Sequence, residues 1–210
     1  MSNPHNLEIT KGKTTVVFIR WENPLFVSKP ITAISTDSGF PRLTVASHGI
    51  PNGWRAYIAG VKGMAQINTK NIPPKDSDFR EVTVIDANTI ELNGVIPIDD
   101  SGRDWSPYIS GGFVQFYSPR DLSGAAVRVK VKDRIGGKVV LSSDPADVPL
   151  NLISVTLDNT GKKISIEFPA SASANLSIKR GVWEVEADVS GKVESLVPPS
   201  PVCVSDEVVT

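Results

Sequence analysis

AAVRVKVKD, residues 125–133, alternates without a break: Val127, Val129 and Val131 fall on one side of an extended chain, and Arg128, Lys130 and Lys132 fall on the other. Successive side chains of a strand point to opposite faces, so this stretch describes a strand with one buried face and one wet face, as antiparallel sheets have. The pattern recurs. Residues 163–168 set Ile164, Ile166 and Phe168 against Lys163, Ser165 and Glu167, and residues 182–189 set Trp183, Val185, Ala187 and Val189 against Val182, Glu184, Glu186 and Asp188.

Further strands are expected at 7–10, 14–21, 31–36, 41–47, 54–61, 81–86, 89–93, 112–118, 139–143, 152–158 and 192–197. Turn-forming residues divide them: Asp37-Ser38-Gly39, Pro51-Asn52-Gly53, Asn93-Gly94, Gly136-Gly137, Asn159-Thr160-Gly161 and Ser190-Gly191. Only 170–177 (ASASANLS) suits a helical turn, so the expected class is all-β. The longest loops are 68–79 and 95–111, both broken by proline, and loops of this length often carry interactions. The PPSP stretch at 198–201 reads as stiff and extended. The apolar-rich segment 202–209 after it reads as an edge strand or a strand donated to a neighbour.

A chain of 210 residues with 40% hydrophobic and 21% charged residues can bury a core without staples. The net charge of −1 argues against a general binder of nucleic acid or anionic membrane. Cys203 is the only cysteine, so no disulfide forms within the chain, which fits synthesis in a reducing cytoplasm. Met1 to Thr10 has no apolar core of a secretory leader, and no apolar run has the length of a membrane span.

The middle and the ends differ in texture. Residues 31–118 are rich in turns, whereas 1–30 and 119–210 carry the cleaner alternations. The first 30 residues hold at most two strands, too few for a core of their own. They are therefore expected to complete a host sheet with 119–210, leaving 31–118 as an insertion bracketed by Lys29-Pro30 and Ser118-Pro119.

Within the middle, the run His48-Gly49-Ile50, Asn52-Gly53, Ile58-Ala59-Gly60-Val61-Lys62-Gly63-Met64, Ile67-Asn68, Val82 to Leu92 and Tyr108 to Gly112 resembles the first catalytic cysteine half-domain of ubiquitin-activating enzymes, a small β-barrel, in the form that recurs in phage tail proteins. The likeness extends from Ile31 to Tyr117. The outer part, through Leu7 to Thr14, Ile153 to Leu176 and Gly181 to Val209, is similar to the N-terminal immunoglobulin-like domain of baseplate upper proteins and tail-fibre adaptors. There Gly181, Trp183 and Asp188 take the places of a "G-x-Y-x-x-D" strand. The chain departs from that pattern by its insertion and by lacking a coiled-coil extension.

Together the resemblances imply an immunoglobulin-like β-sandwich with an inserted small β-barrel. They imply a structural virion protein made in the host cytoplasm, a homo-oligomeric adaptor among other phage tail proteins (tail tube or nozzle, baseplate, fibre or spike). Nucleic acid and membrane are not expected partners.

The residues offer little catalytic chemistry. Cys203 lies outside the barrel-like segment with no histidine nearby, so a buried or inert thiol is expected. No glycine-rich strand-to-helix turn is present to hold a nucleotide. His5 and His48 are the only histidines and lack metal-ligand spacing, and His48 before Gly49 suits turn capping or packing. Asp99, Asp100 and Asp104 suit a solvated turn better than a calcium loop. No catalytic residue, metal or cofactor is expected.

Two surfaces are candidates for protein contact. Arg128, Lys130 and Lys132, with Arg134 beyond, form a basic comb that reads as a docking face, a solvated face or an edge guarded against mispairing. Trp54 is expected in the core, with Tyr57 as a further aromatic candidate. Trp105 and Tyr108 are the better contact candidates because they lie in a long loop. That loop also motivates the alternative function, a carbohydrate-binding module contacting the host surface.

Overall fold

The computed structural model describes residues 6–148 and 151–207. It is all-β, with 51% of residues in strands and 6% in helices. His5 and residues 208–209 of the last apolar segment lie outside the described residues. Among the described residues no helix is long and apolar enough to cross a membrane.

The chain divides into two compact units. One comprises the residues up to Trp21 and from Asp121 onward, and the other comprises Glu22–Arg120. Strands β1 (Leu7–Thr10) and β2 (Thr15–Arg20) belong to the outer unit. The middle unit follows with β3 (Glu22–Pro30), β4 (Ala33–Ser35), β5 (Arg42–Thr44), β6 (Arg55–Lys62), β7 (Arg80–Asp86), β8 (Thr89–Leu92) and β9 (Ser110–Pro119). The outer unit resumes with β10 (Ala126–Lys132), β11 (Val139–Ser142), β12 (Ser154–Asp158), β13 (Lys163–Phe168), α1 (Ala170–Ala174), β14 (Arg180–Val189) and β15 (Lys192–Ser205).

The outer unit is a sandwich. One sheet has the order β1-β15-β14-β10-β11 and the other β12-β13-β2. The alternating residues meet between them: Val129 and Val131 of β10, Trp183, Val185 and Ala187 of β14, and Ile164, Ile166 and Phe168 of β13 share one buried cluster. The rings of Phe168 and Trp183 meet edge to face at 6.3 Å. Residues 7–10 enter this sheet beside the end of the chain, in parallel register from Leu7 with Val202 to Thr10 with Ser205.

The middle unit is one run of seven strands, β3-β9-β6-β7-β8-β5-β4. Its inward residues, among them Leu43, Trp54, Val82, Ile90 and Val114, form a second buried cluster. Only loops and two short 3-10 turns accompany the strands of this unit.

Several expectations are corrected. The first 30 residues carry three strands, and the units divide at 21/22 and 120/121 rather than at 30/31 and 118/119. Residues 22–30 (ENPLFVSKP) form β3 and pair with β9 from Glu22–Pro119 to Pro30–Phe113. Two prolines and broken alternation hide this strand in the sequence. The register shifts between Glu22 and Phe26, which places Pro24 where ladder pairing is interrupted.

The PPSP segment is extended, and it continues the strand before it, while 202–205 is no edge. Both belong to β15, which lies between β14 and β1. Its pairing with β14 shifts register twice, between Trp183 and Val185, where Pro198 and Pro199 lie on the β15 side, and again between Val185 and Glu186. Irregularities of this kind let a sheet accept residues that lack an N–H. Cys203 is exposed rather than buried, because Val202 and Val204 take the inward positions.

Asp206 fastens this closure. Its carboxylate pairs with Lys11 at 2.9 Å and with Lys179, and these two ammonium groups, Lys179 first, hold it down at about 2. An unfolded aspartate titrates near ~3.9. The stabilisation is therefore present above pH ~4 and lost as pH falls through about 2. The difference in urea midpoint between the wild type and Asp206→Asn is expected to shrink over that window; a difference unchanged from pH ~6 to ~2 would contradict it. Phe168→Ala empties a site at the centre of the sandwich and is expected to cost about 3–5 kcal/mol, read by urea unfolding of the whole chain.

Candidate functional site

The five candidate contact residues divide between the two units: Arg128, Lys130 and Lys132 belong to the outer unit, Trp105 and Tyr108 to the middle unit. The basic comb faces outward, as the alternation requires, but it does not stand alone. β14 runs antiparallel beside it, with Glu186 opposite Arg128 and Glu184 opposite Lys130. Lys132 Nζ lies 2.7 Å from Glu184 Oε1, and Lys130 Nζ lies 2.9 Å from Asp147 Oδ2. Asp147 is held below the usual carboxylate range, first by the Ser142 hydroxyl and then by Lys130. The face is a mixed ladder of both signs.

The loop before β9 is pinned from several sides. Asp99 Oδ1 accepts the N–H groups of Ser101 and Arg103 at 2.8 and 2.9 Å, so the DDSGRD run is a self-closed turn. The Trp105 N–H reaches the Pro97 carbonyl at 2.9 Å, and the Tyr108 hydroxyl shares its proton between the carbonyls of Ile31 and Gly111. Tyr108 is thus an anchor of the loop. The Ile109 N–H is held by the Lys62 carbonyl at 3.0 Å. The close approach depends on Gly63, whose φ is +90° and where a Cβ would lie 2.2 Å from the Pro107 carbonyl oxygen.

The pinned loop forms one bank of a groove of about 560 Å³, lined here by Val95, Ile96 and Trp105. The other bank comes from 66–70 and 77–80, largely the other long loop. That loop is ordered by Asp78, whose carboxylate accepts the Lys75 N–H at 2.7 Å and the Asn71 amide at 2.9 Å. Those bonds, the backbone N–H of Lys75 first, hold its carboxyl below the ordinary range. Asn68 is engaged internally, accepting from the Val61 N–H at 2.8 Å and donating to the Val61 carbonyl at 3.0 Å. Lys70 and Arg80, both exposed, stand on this bank. Sequence reasoning marked both loops but not their meeting, which is a property of the folded sheet.

An aromatic cluster was also missed. Tyr57 is buried rather than available: it stacks on Phe26 at 5.3 Å and meets Phe79 edge-on at 5.3 Å, while Tyr117 packs against Phe26 at 5.0 Å. Arg55 lies over Phe79 at 5.0 Å and grips Glu22 through two bonds of 2.6 and 2.7 Å. The Glu22 bonds raise the pKa of the guanidinium despite its partial burial. Trp54 is buried, and its indole N–H donates to the Tyr117 carbonyl at 2.9 Å.

His48 is 3% exposed. Its Nδ1 accepts the Ile50 N–H at 3.0 Å and its Nε2–H donates to the Asp86 carbonyl at 2.8 Å, so it caps a turn. No cluster of three or more His, Cys, Asp or Glu side chains that could hold a metal occurs among the described residues. No protein-family profile matches the chain, and no curated protein is detectably similar to it in sequence.

Gly63→Ala forces an L-residue into the left-handed region and against the Pro107 carbonyl. It is expected to destabilise the chain by at least about 2 kcal/mol and to shift the Trp105 indole N–H resonance, because the loop must lift. An unmoved indole signal at wild-type stability would show that the loop does not rest on Gly63.

Proposed function

We propose that this chain is a structural protein of a bacteriophage tail, an oligomeric adaptor in the tail, baseplate or fibre-attachment region. The observation that carries the proposal is the pair of resemblances, one along Ile31 to Tyr117 and one along the outer segments. We read the outer sandwich as immunoglobulin-like and the seven-stranded middle sheet as the small barrel. The nested connectivity of two compact units is in keeping with this. Adaptors of this kind work by repetition, with several copies forming a ring or trimer that holds a fibre or spike.

The outer unit also offers a place for such contacts. β2 is an edge strand of the three-stranded sheet, and it exposes Val16 and Phe18 at 46% and 59%. An exposed edge bearing apolar side chains suits association with a second copy.

Native mass spectrometry of the purified chain is expected to show a defined oligomer that Phe18→Asp weakens. Proteomics of purified particles of the encoding phage is expected to find the chain in the virion. A monomer that is absent from particles would defeat the proposal.

A second reading, carbohydrate binding, is favoured by one observation: a groove lined by Trp105 together with polar side chains.

A further inference from the structure

The groove of the middle unit has a shape and a set of free groups that neither core packing nor turn formation explains. Its volume of about 560 Å³ falls in the ~300–1,000 Å³ range of small-ligand sites. Buried Ile58, Ile67 and Leu92 supply its apolar part. Trp105 is half-buried: part of its ring packs on the core cluster, and the rest lines the groove.

The other bank is polar and carries more positive than negative charge. Arg80 is held in place because its Nη1 donates to the carbonyls of Ser77 and Phe79 at 2.6 and 3.2 Å. That leaves Nε and Nη2 of the same guanidinium for a ligand. Lys70 pairs with no acidic side chain among the described residues, and Gln66 is exposed beside it. Asp78 is the only acidic side chain of the groove, and its oxygens already serve Asn71 and Lys75.

An indole in a partly apolar groove suits the C–H face of a sugar ring. A guanidinium and an ammonium lining the same groove suit a carboxylate, with the Gln66 amide free for hydroxyl groups. We propose that this groove binds a carboxylated saccharide, its ring against Trp105 and its carboxylate between Lys70 and Arg80. The proposal rests on the carbohydrate-binding reading and is independent of whether the chain serves in a phage tail.

The test is calorimetric titration of the whole chain with a tetrasaccharide of alternating glucuronate and N-acetylglucosamine, and with the neutral cellotetraose. The acidic sugar is expected to bind at least about ten-fold more tightly than the neutral one and to weaken as salt is raised. Lys70→Ala and Arg80→Ala, both at exposed positions, are each expected to weaken it by about three- to ten-fold. Trp105→Ala is expected to abolish binding and Trp105→Phe to retain part of it. Equal affinity for both sugars, lost in Trp105→Ala, would overturn the acidic preference and leave the carbohydrate reading standing. No binding of either sugar, or binding indifferent to all three positions, would overturn both.

Discussion

The parallel pairing of the first strand with the last governs this molecule. Thr10 and Ser205 lie 195 residues apart in the chain, and their hydroxyl groups meet at 3.3 Å. Everything between them has to be accommodated inside that closure. The sandwich core draws Leu7 and Ile9 from one end and Val202 and Val204 from the other, so neither end can bury its apolar side chains alone. Contacts of such long sequence separation carry the largest loop-closure entropy and form slowly. A compact middle unit with its own core shortens the effective loop, because its residues can order before the ends meet.

Acidic side chains do much of the local work. Asp86 accepts the Asn88 N–H, Asp99 those of Ser101 and Arg103, Asp158 those of Thr160 and Gly161, and Asp188 that of Gly191. Asp121 accepts from Asn159 and from Ser123 and is held down at about 2, the Asn159 amide being the largest cause. These are side-chain mimics of a backbone turn, and they set where strands stop. In a fold with so many short connections, carboxylates become part of the turn chemistry.

The alternating strands were legible because their pattern is local: each of β10, β13 and β14 announces its buried face within six to ten residues. β3 and the proline-bearing half of β15 were not, because proline conceals a strand whose irregularity is absorbed by register shifts against its partner. The candidate site divides in the same way. The long loops and Trp105 could be marked from the chain alone. That Glu184 and Asp147 neutralise the lysines of β10, and that two loops converge on one groove, depends on strand order and register. Tyr108 was marked for its position in a loop, yet it is the nearby carbonyls of Ile31 and Gly111 that determine its role.

The prolines of β15 have one more consequence. β1 flanks this strand only from Val202 to Ser205, so the longer part, from Lys192 to Pro201, has no ladder partner on that side among the described strands. A long open edge is ordinarily a template on which further chains stack into fibrils. Pro198, Pro199 and Pro201 offer no N–H to such a newcomer, and no continuous ladder can grow along them. The residues that obscured the strand in the sequence thereby protect the protein from aggregating along that edge.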